Sequence, residues 1–231
     1  MSNGEVMSEY RTLDESYHLG RKTKKSLIYR LNRRSEEVVK SINKYYSGIP
    51  ENIVDLGTAD GFMLSMIKDS FPLARCIGIE YSQELVESNS DRRITVLQGD
   101  VNSLPMPDCS FDIAIATAII EHLPDPKRFI EETKRVLKKN GVIVLTSPDP
   151  FWEKVATIVG HLSDELHSKV MSLKELALLF NEVGYEILEQ KKFMLSPVGM
   201  PLEIPIENVV RCVGLNFLFA NQLVVGKKVD S

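Results

Sequence analysis

The chain has 231 residues, of which 43% are hydrophobic and 26% are charged, and its net charge is −4. This length and composition fit one globular domain with a substantial core, and they point to neither nucleic acid nor a membrane. No stretch approaches the roughly 18 uninterrupted apolar residues of a membrane span, and residues 1–10 are polar and acidic, unlike a secretion leader. We therefore expect a cytoplasmic protein without a membrane span.

The cysteine pattern argues against a cysteine-ligated metal site and against a disulfide-stabilised fold. Cys76, Cys109 and Cys212 are odd in number and far apart, so they have neither metal-ligand spacing nor the look of a disulfide framework. A reducing compartment is the simplest setting, and we expect no bound metal.

Charge is unevenly distributed along the chain. Residues 11–44 contain ten Lys or Arg and four Asp or Glu, so the remainder is acidic. Two interpretations stay open: a solvated helix face, or a patch that attracts an anionic substrate, lipid or nucleic acid. Apolar residues recur at three- and four-residue intervals over residues 26–46, which predicts an amphipathic helix ending before Gly48 and Pro50.

From residue 53 onward, short apolar runs alternate with helical patterns. This alternation predicts an α/β fold with a parallel, doubly wound sheet. The predicted strands cover residues 53–56, 76–79, 94–97, 111–116 and 142–146, with helices at 62–70, 83–88 and 127–138. Two last strands are expected near residues 186–193 and 217–225.

Helix boundaries support this interpretation independently of hydrophobicity. Asp125 and Pro126 predict the start of the helix at 127–138, and residues 140–141 (Asn-Gly) predict its end. A capping box at residues 172–175 opens a further helix. Asp112 is expected to be structural rather than catalytic.

Two segments look irregular. Residues 147–171 are too long for a plain connection, so we expect them to carry a helix, and we expect residues 151–171, with the N-terminal helix, to close over the site as a lid. Residues 196–208 contain three prolines and are expected to be irregular. We predict a single domain over residues 1–231, with a helical cap (1–50), a cofactor-binding half (51–147) and a substrate and lid half (148–231).

Residues 53–64 predict a buried strand, a tight turn and the start of a helix. Gly57 and Gly61 lie four apart, without the middle glycine of the dinucleotide pattern. Asp55 lies two residues before the first glycine, where its negative charge would repel a pyrophosphate. The turn therefore suits a ligand with a cationic amine and no phosphate.

Acidic residues after the next two strands complete this ligand. Glu80 is placed to accept hydrogen bonds from two ribose hydroxyls, and Asp100 with Val101 could receive an adenine. Taken singly, Asp55 could equally be a strand-end cap and Glu80 an edge carboxylate. Together with Asp100 they favour S-adenosylmethionine.

An ordered series of motifs over roughly residues 53–150 resembles class I S-adenosylmethionine-dependent methyltransferases, and is most similar to the ubiquinone and menaquinone C-methyltransferase (type 11) branch. The motifs are Asp55-Leu56-Gly57 with Gly61, Gly78-Ile79-Glu80, Gly99-Asp100-Val101, Leu104-Pro105, residues 108–112, Glu121-His122-Leu123, and residues 135–138 before Gly141. Lys139-Asn140 departs from the usual Pro-Gly of the family.

The resemblance implies a Rossmann-like sheet of seven strands in the order 3-2-1-4-5-7-6, with the last strand antiparallel. It also implies S-adenosylmethionine as cofactor and S-adenosylhomocysteine as product. The cofactor-binding residues would be Asp55, Gly57, Thr58, Ala59, Gly61, Glu80, Tyr81, Asp100, Val101, Thr117 and His122.

The acceptor is left open. We expect a small molecule methylated on oxygen, nitrogen or carbon, with a quinone-like or lipid-like acceptor among the options. His122, His161 and His167 are the candidate bases if the acceptor must lose a proton. Residues 116–119 lack the Asn/Asp-Pro-Pro-aromatic motif of nucleic-acid amino methyltransferases, which weighs against nucleic acid. The alternatives are an RNA-directed enzyme using the basic N-terminal segment and a non-catalytic cofactor-binding module.

Overall fold

In the computed structural model, which describes residues 23–158, 170–196 and 198–229, seven strands form one sheet. The strands are β1 (Asn52–Leu56), β2 (Arg75–Glu80), β3 (Thr95–Gln98), β4 (Phe111–Thr117), β5 (Leu137–Pro148), β6 (Tyr185–Phe193) and β7 (Asn221–Lys228). Their order is β3-β2-β1-β4-β5-β7-β6, and β7 runs antiparallel to both of its neighbours. The predicted α/β fold and strand order are confirmed.

Helices cover both faces of this sheet. They are α1 (Lys25–Tyr45), α2 (Phe62–Ser70), α3 (Gln83–Glu87), α4 (Pro126–Val136), α5 (Pro150–Ile158), α6 (Leu173–Val183) and α7 (Glu203–Cys212), with 3₁₀ turns at Ile120–His122 and Asn216–Leu218. Apolar side chains of α1 and α2 pack on one face, and those of α4 and α6 pack on the other. Because both faces are covered, the central strands are apolar on both sides.

The amphipathic N-terminal helix is confirmed as α1. Its Val38 and Ile42 are buried against the sheet, so this part of the helix is a fixed layer of the fold. None of the helices in the described part of the chain is long and apolar enough to cross a bilayer. Of the lid predicted over residues 151–171, the structure describes residues 151–158, in α5, and residues 170–171; residues 159–169, with His161 and His167, lie outside the described residues.

The predicted helix caps are present. The Asp125 carboxylate accepts a hydrogen bond from the backbone N–H of Arg128 at the start of α4. Ser172 and Glu175 form the reciprocal bonds of a capping box at the start of α6, which ends at a left-handed Gly184.

One predicted boundary is wrong. The helix predicted over residues 127–138 ends earlier, at Val136, and its predicted stop at residues 140–141 lies inside β5. Leu137 already pairs with β4, and the ladder then shifts register. Asn140 adopts a left-handed backbone (φ 61°) in this bulge, which asparagine tolerates better than most residues. The residues that resemble a helix stop therefore form a bulge in a strand.

The expectation for residues 196–208 is also corrected, because α7 begins inside this range. Pro205 lies in the first turn of α7, where backbone N–H groups have no intrahelical partner and a proline is tolerated. The last strand begins at Asn221, after a 3₁₀ turn, rather than near residue 217.

The Asp112 carboxylate attaches the segment after α1 to the sheet. It accepts hydrogen bonds from the backbone N–H groups of Glu51 (3.0 Å) and Asn52 (2.8 Å), the Tyr46 hydroxyl (3.0 Å) and the Lys138 ammonium (2.8 Å). Burial disfavours the charged carboxylate, but the bonds from Lys138, Asn52 and Tyr46 outweigh it and lower the pKa of Asp112. These contacts agree with the structural role expected for Asp112.

We expect Asp112→Asn to lower the free energy of unfolding by about 2–4 kcal/mol at pH 7, because it leaves buried donors without their charged acceptor. The folded-state pKa of Asp112 lies below its unfolded value of about 3.9, so this contribution is present above that value and is lost as the pH falls through the folded-state pKa. Urea unfolding at pH 7 and at decreasing pH measures both effects.

The matched control is Asp108→Asn. The exposed Asp108 carboxylate pairs with Arg135, and this pair should contribute at most about 1 kcal/mol to the free energy of unfolding. An unchanged urea midpoint for Asp112→Asn at pH 7 would contradict the structural role.

Candidate cofactor site

The turn between β1 and α2 lies at the carboxyl edge of the sheet. Leu56, the last residue of β1, pairs with the penultimate residues of both β2 and β4. Gly57 therefore lies between Glu80 and Thr117, which end those two strands, and Asp100 follows β3 farther along the same edge. The structure thus brings the predicted site residues from four strands to one edge, where open α/β sheets bind ligands.

The turn itself depends on left-handed backbone. Gly57, Ala59 and Gly61 have φ values of 75°, 54° and 78°. The N–H groups of Gly57 and Thr58 donate to one carbonyl of β2, at 2.8 and 3.1 Å, and hold the turn against that strand. A Cβ at position 57 would lie 2.2 Å from Cδ1 of Ile119, so both the backbone angle and the close approach require glycine there.

Asp55 stabilises this turn from within the sheet. Its buried carboxylate accepts a hydrogen bond of 2.7 Å from the Thr58 hydroxyl. Gly78 of β2 leaves room for that side chain, because a Cβ at position 78 would lie 2.4 Å from Cγ2 of Thr58. The role of Gly78 was missed from the sequence, although a glycine inside a strand is the signal for such an approach. A direct contact between Asp55 and the methionine end of the cofactor stays a prediction.

The Glu80 carboxylate joins two turns. One oxygen accepts from the N–H of Ala59 and the other from the N–H of Ser82, both at 2.9 Å. A carboxylate has about four acceptor positions, so about two remain for further donors. Two adjacent hydroxyls of a ribose are donors of the kind that these positions could accept. Tyr81 follows Glu80 directly and is half-buried.

The predicted adenine contacts have local structural roles. The Asp100 carboxylate accepts from the N–H of Asn102 at 2.8 Å, which shapes the turn after β3. Val101 is buried and packs in the same apolar cluster as Leu104. Their contacts with an adenine ring stay predictions.

The end of β4 supplies the remaining predicted residues. The Thr117 hydroxyl donates to the sulfur of Met63 at 3.5 Å, and the chain then reverses at Ala118, which has a left-handed φ of 51°. His122 is half-buried and ends the short 3₁₀ turn that follows. Of the three candidate bases, His122 is the one that falls within the described residues.

Among the residues that the structure describes, no cluster of His, Cys, Asp and Glu could hold a metal ion. The chemistry of this edge is instead two buried carboxylates beside a glycine turn. Residues 54–145 match the protein family described as "Methyltransferase domain", with the matched region beginning in β1 and ending in β5. Residues 54–145 form a class I methyltransferase domain of the type 11 branch. Members of this family use S-adenosylmethionine as the methyl donor.

Individual relatives of this methyltransferase domain are distant. YcgJ of Bacillus subtilis, named as an uncharacterized methyltransferase, is 28% identical over 151 residues, which cover 60% of this chain and 59% of that protein. A rice (Oryza sativa subsp. japonica) 2-methyl-6-phytyl-1,4-hydroquinone methyltransferase is 32% identical over 107 residues, which cover 43% of this chain and 30% of that protein. The chain spans 47% to 59% of the first curated relatives that it matches.

The fold of one solved structure is similar to that of this chain beyond residue 145 as well. A chain from the complex of the Haloferax volcanii Trm112 methyltransferase activator has a TM-score of 0.71 and covers 95% of this chain and 100% of its own length. Its sequence is 19% identical, so this likeness concerns the fold alone.

We expect Gly57→Val to abolish measurable cofactor binding while the protein stays folded. The valine side chain would clash with Ile119 and would need an unfavourable left-handed backbone at the centre of the turn. Calorimetric titration with S-adenosylhomocysteine tests this. Gly214→Val is the control, because Gly214 has a similar φ of 79° and no atom within 4 Å of its Cβ position. Micromolar affinity in Gly57→Val would exclude this turn as the cofactor site.

Glu80→Gln should weaken binding of S-adenosylhomocysteine by about 10- to 100-fold, because hydrogen bonds to a charged group are worth about 1.5–3 kcal/mol and the amide accepts fewer. Adenine alone, which has no ribose, would bind equally to both proteins. Glu84→Gln, an exposed substitution in α3, is the control for removing one negative charge nearby. Equal affinity of wild type and Glu80→Gln for S-adenosylhomocysteine would argue against the ribose contact.

Proposed function

We propose that the protein transfers a methyl group from S-adenosylmethionine to a small-molecule acceptor and releases S-adenosylhomocysteine. The observation that carries this proposal is the carboxyl edge itself, where Gly57 and Glu80 lie side by side in a domain whose family uses this donor. The fold and the family support the reaction class. The acceptor is proposed on separate grounds.

The residues of the edge fit the cofactor by charge. Asp55 and Glu80 are both buried beside the turn, so this side of the pocket is acidic. An acidic pocket disfavours a pyrophosphate and favours a ligand that carries an ammonium and a sulfonium group. In this proposal Asp55, Gly57 and Gly61 hold the methionine end and Glu80 holds the ribose.

The protein then has few chemical tasks. When bound, S-adenosylmethionine supplies an already activated methyl group for an in-line displacement. The chain must align the acceptor with that methyl group and exclude water from between them. A hydroxyl, ammonium or carbon acceptor would also have to lose a proton, and His122, in the 3₁₀ turn after β4, is the candidate base within the described residues.

A small molecule is favoured over RNA because three basic residues of α1 are engaged within the protein. The guanidinium of Arg33 is buried and bonds the Glu207 carboxylate, and that of Arg34 bonds Asn221. Lys44 pairs with Glu189 at 3.6 Å. Arg33 is therefore buried rather than solvated, and these contacts occupy three cations of the described part of the basic segment. The hydroquinone named in the rice relative supports a quinone-like or lipid-like acceptor.

Incubation with methyl-labelled S-adenosylmethionine and fractionated cell extract should place label in a low-molecular-mass fraction, and an organic extract would retain it if the acceptor is lipid-like. Gly57→Val should label nothing, while Gly214→Val should label the same fraction as the wild type. Label confined to RNA would overturn the small-molecule proposal. Cofactor binding with no label in any fraction would instead identify a binding module.

A further inference from the structure

Helix α7 is oriented with its acidic residues toward the protein and its apolar residues toward solvent. Glu203 and Glu207 are each 4% exposed, whereas Val209 and Val213, at the end of the helix, are each 63% exposed. Surface helices normally show the reverse arrangement, with the apolar stripe facing the core. Polar contacts, rather than apolar burial, therefore hold α7 in place.

Those polar contacts fix the orientation of the helix. The Glu207 carboxylate accepts from the Arg33 guanidinium at 3.0 Å and from the N–H of Met194 at 2.9 Å. The Glu203 carboxylate accepts from the Tyr29 hydroxyl and from the N–H of Ser196. Turning the helix over would bury its apolar face but would also break these buried charge contacts, each of which is costly to lose.

The exposed apolar residues extend well beyond α7. We define the apolar edge surface as residues 198–217, where more than half of the exposed large hydrophobic residues of the described chain lie. They are Val198, Met200, Leu202, Ile204, Val209, Val213, Leu215 and Phe217. This surface connects the end of β6 to the start of β7, so it lies at the same edge of the sheet as the cofactor turn. Exposed apolar patches of this kind mark interaction sites.

Exposed cations lie beside the apolar edge surface. Its two acidic residues are the buried pair in α7, which leaves Arg211 as its remaining charged side chain. Lys25 lies one helical turn before Tyr29 in α1, beside the surface, and Lys24 is its neighbour; both are exposed. The whole protein carries a net charge of −4, so an apolar surface bordered by cations departs from the rest of the molecule.

We propose that the apolar edge surface docks on an anionic lipid bilayer, with α7 lying in the plane of the interface. The exposed valine, leucine and phenylalanine side chains would enter the headgroup and acyl boundary, and Lys24 and Lys25 would meet anionic headgroups. Docking this way presents the carboxyl edge of the sheet to the membrane. It is a binding property that does not depend on methyl transfer and is tested without it.

The test is sedimentation of the full chain with phosphatidylcholine vesicles, with and without phosphatidylglycerol. We expect binding to the anionic vesicles that weakens with salt, and much less binding to the neutral ones. Val209→Asp combined with Val213→Asp should lower the partition coefficient at least about tenfold, because two charges replace inserted apolar groups. Leu73→Asp is the matched control, since Leu73 is 83% exposed before β2, at the opposite edge of the sheet.

Circular dichroism and titration with S-adenosylhomocysteine should be unchanged in the double variant, because both valines are exposed and neither is among the predicted cofactor-binding residues. Absence of binding to anionic vesicles, or binding that the double variant retains, would overturn the proposal. So would a wild-type dimer that the double variant converts to a monomer in light scattering, since a second copy of the chain would then cover this surface.

Discussion

The Glu80 carboxylate connects the two turns that shape the cofactor edge. It accepts from the backbone of the turn after β1 and from the backbone after β2, so the two strand ends are fixed relative to each other by one buried side chain. The left-handed glycine turn beside it has few alternative conformations once these bonds are made. The geometry that a ribose and a methionine chain would meet is thus present before binding, which limits the cost of ordering the protein when the ligand binds.

The sequence predicts the elements whose causes are local. The strand, turn and helix at residues 53–64 follow from apolar runs and glycine positions, and the caps at Asp125 and Ser172 follow from residue type. The Asn-Gly pair after α4 predicts a helix stop but forms a strand bulge, because both features use the same left-handed backbone. The bond from Thr58 to Asp55, and the space that Gly78 leaves for it, depend on the register of two strands and could not be read from spacing alone.

Helix α7 shows a different limit of prediction. Its glutamates look like ordinary solvated residues, but their partners Tyr29 and Arg33 come from the first helix of the described chain, far away in sequence. The family match ends in β5, and α7 lies beyond it. The turn after β1 is thus held by contacts between nearby strand ends, whereas α7 is held by polar contacts with residues far away in sequence.

The ion pair between Arg33 and Glu207 spans 174 positions of the chain, and it has a consequence for the order in which the protein folds during synthesis. Arg33 leaves the ribosome long before its partner exists, and a guanidinium cannot be buried at low cost without that partner. The Arg33 side chain therefore stays hydrated until Glu207 has been synthesised. Burial of this ion pair is a late event in the assembly of the fold.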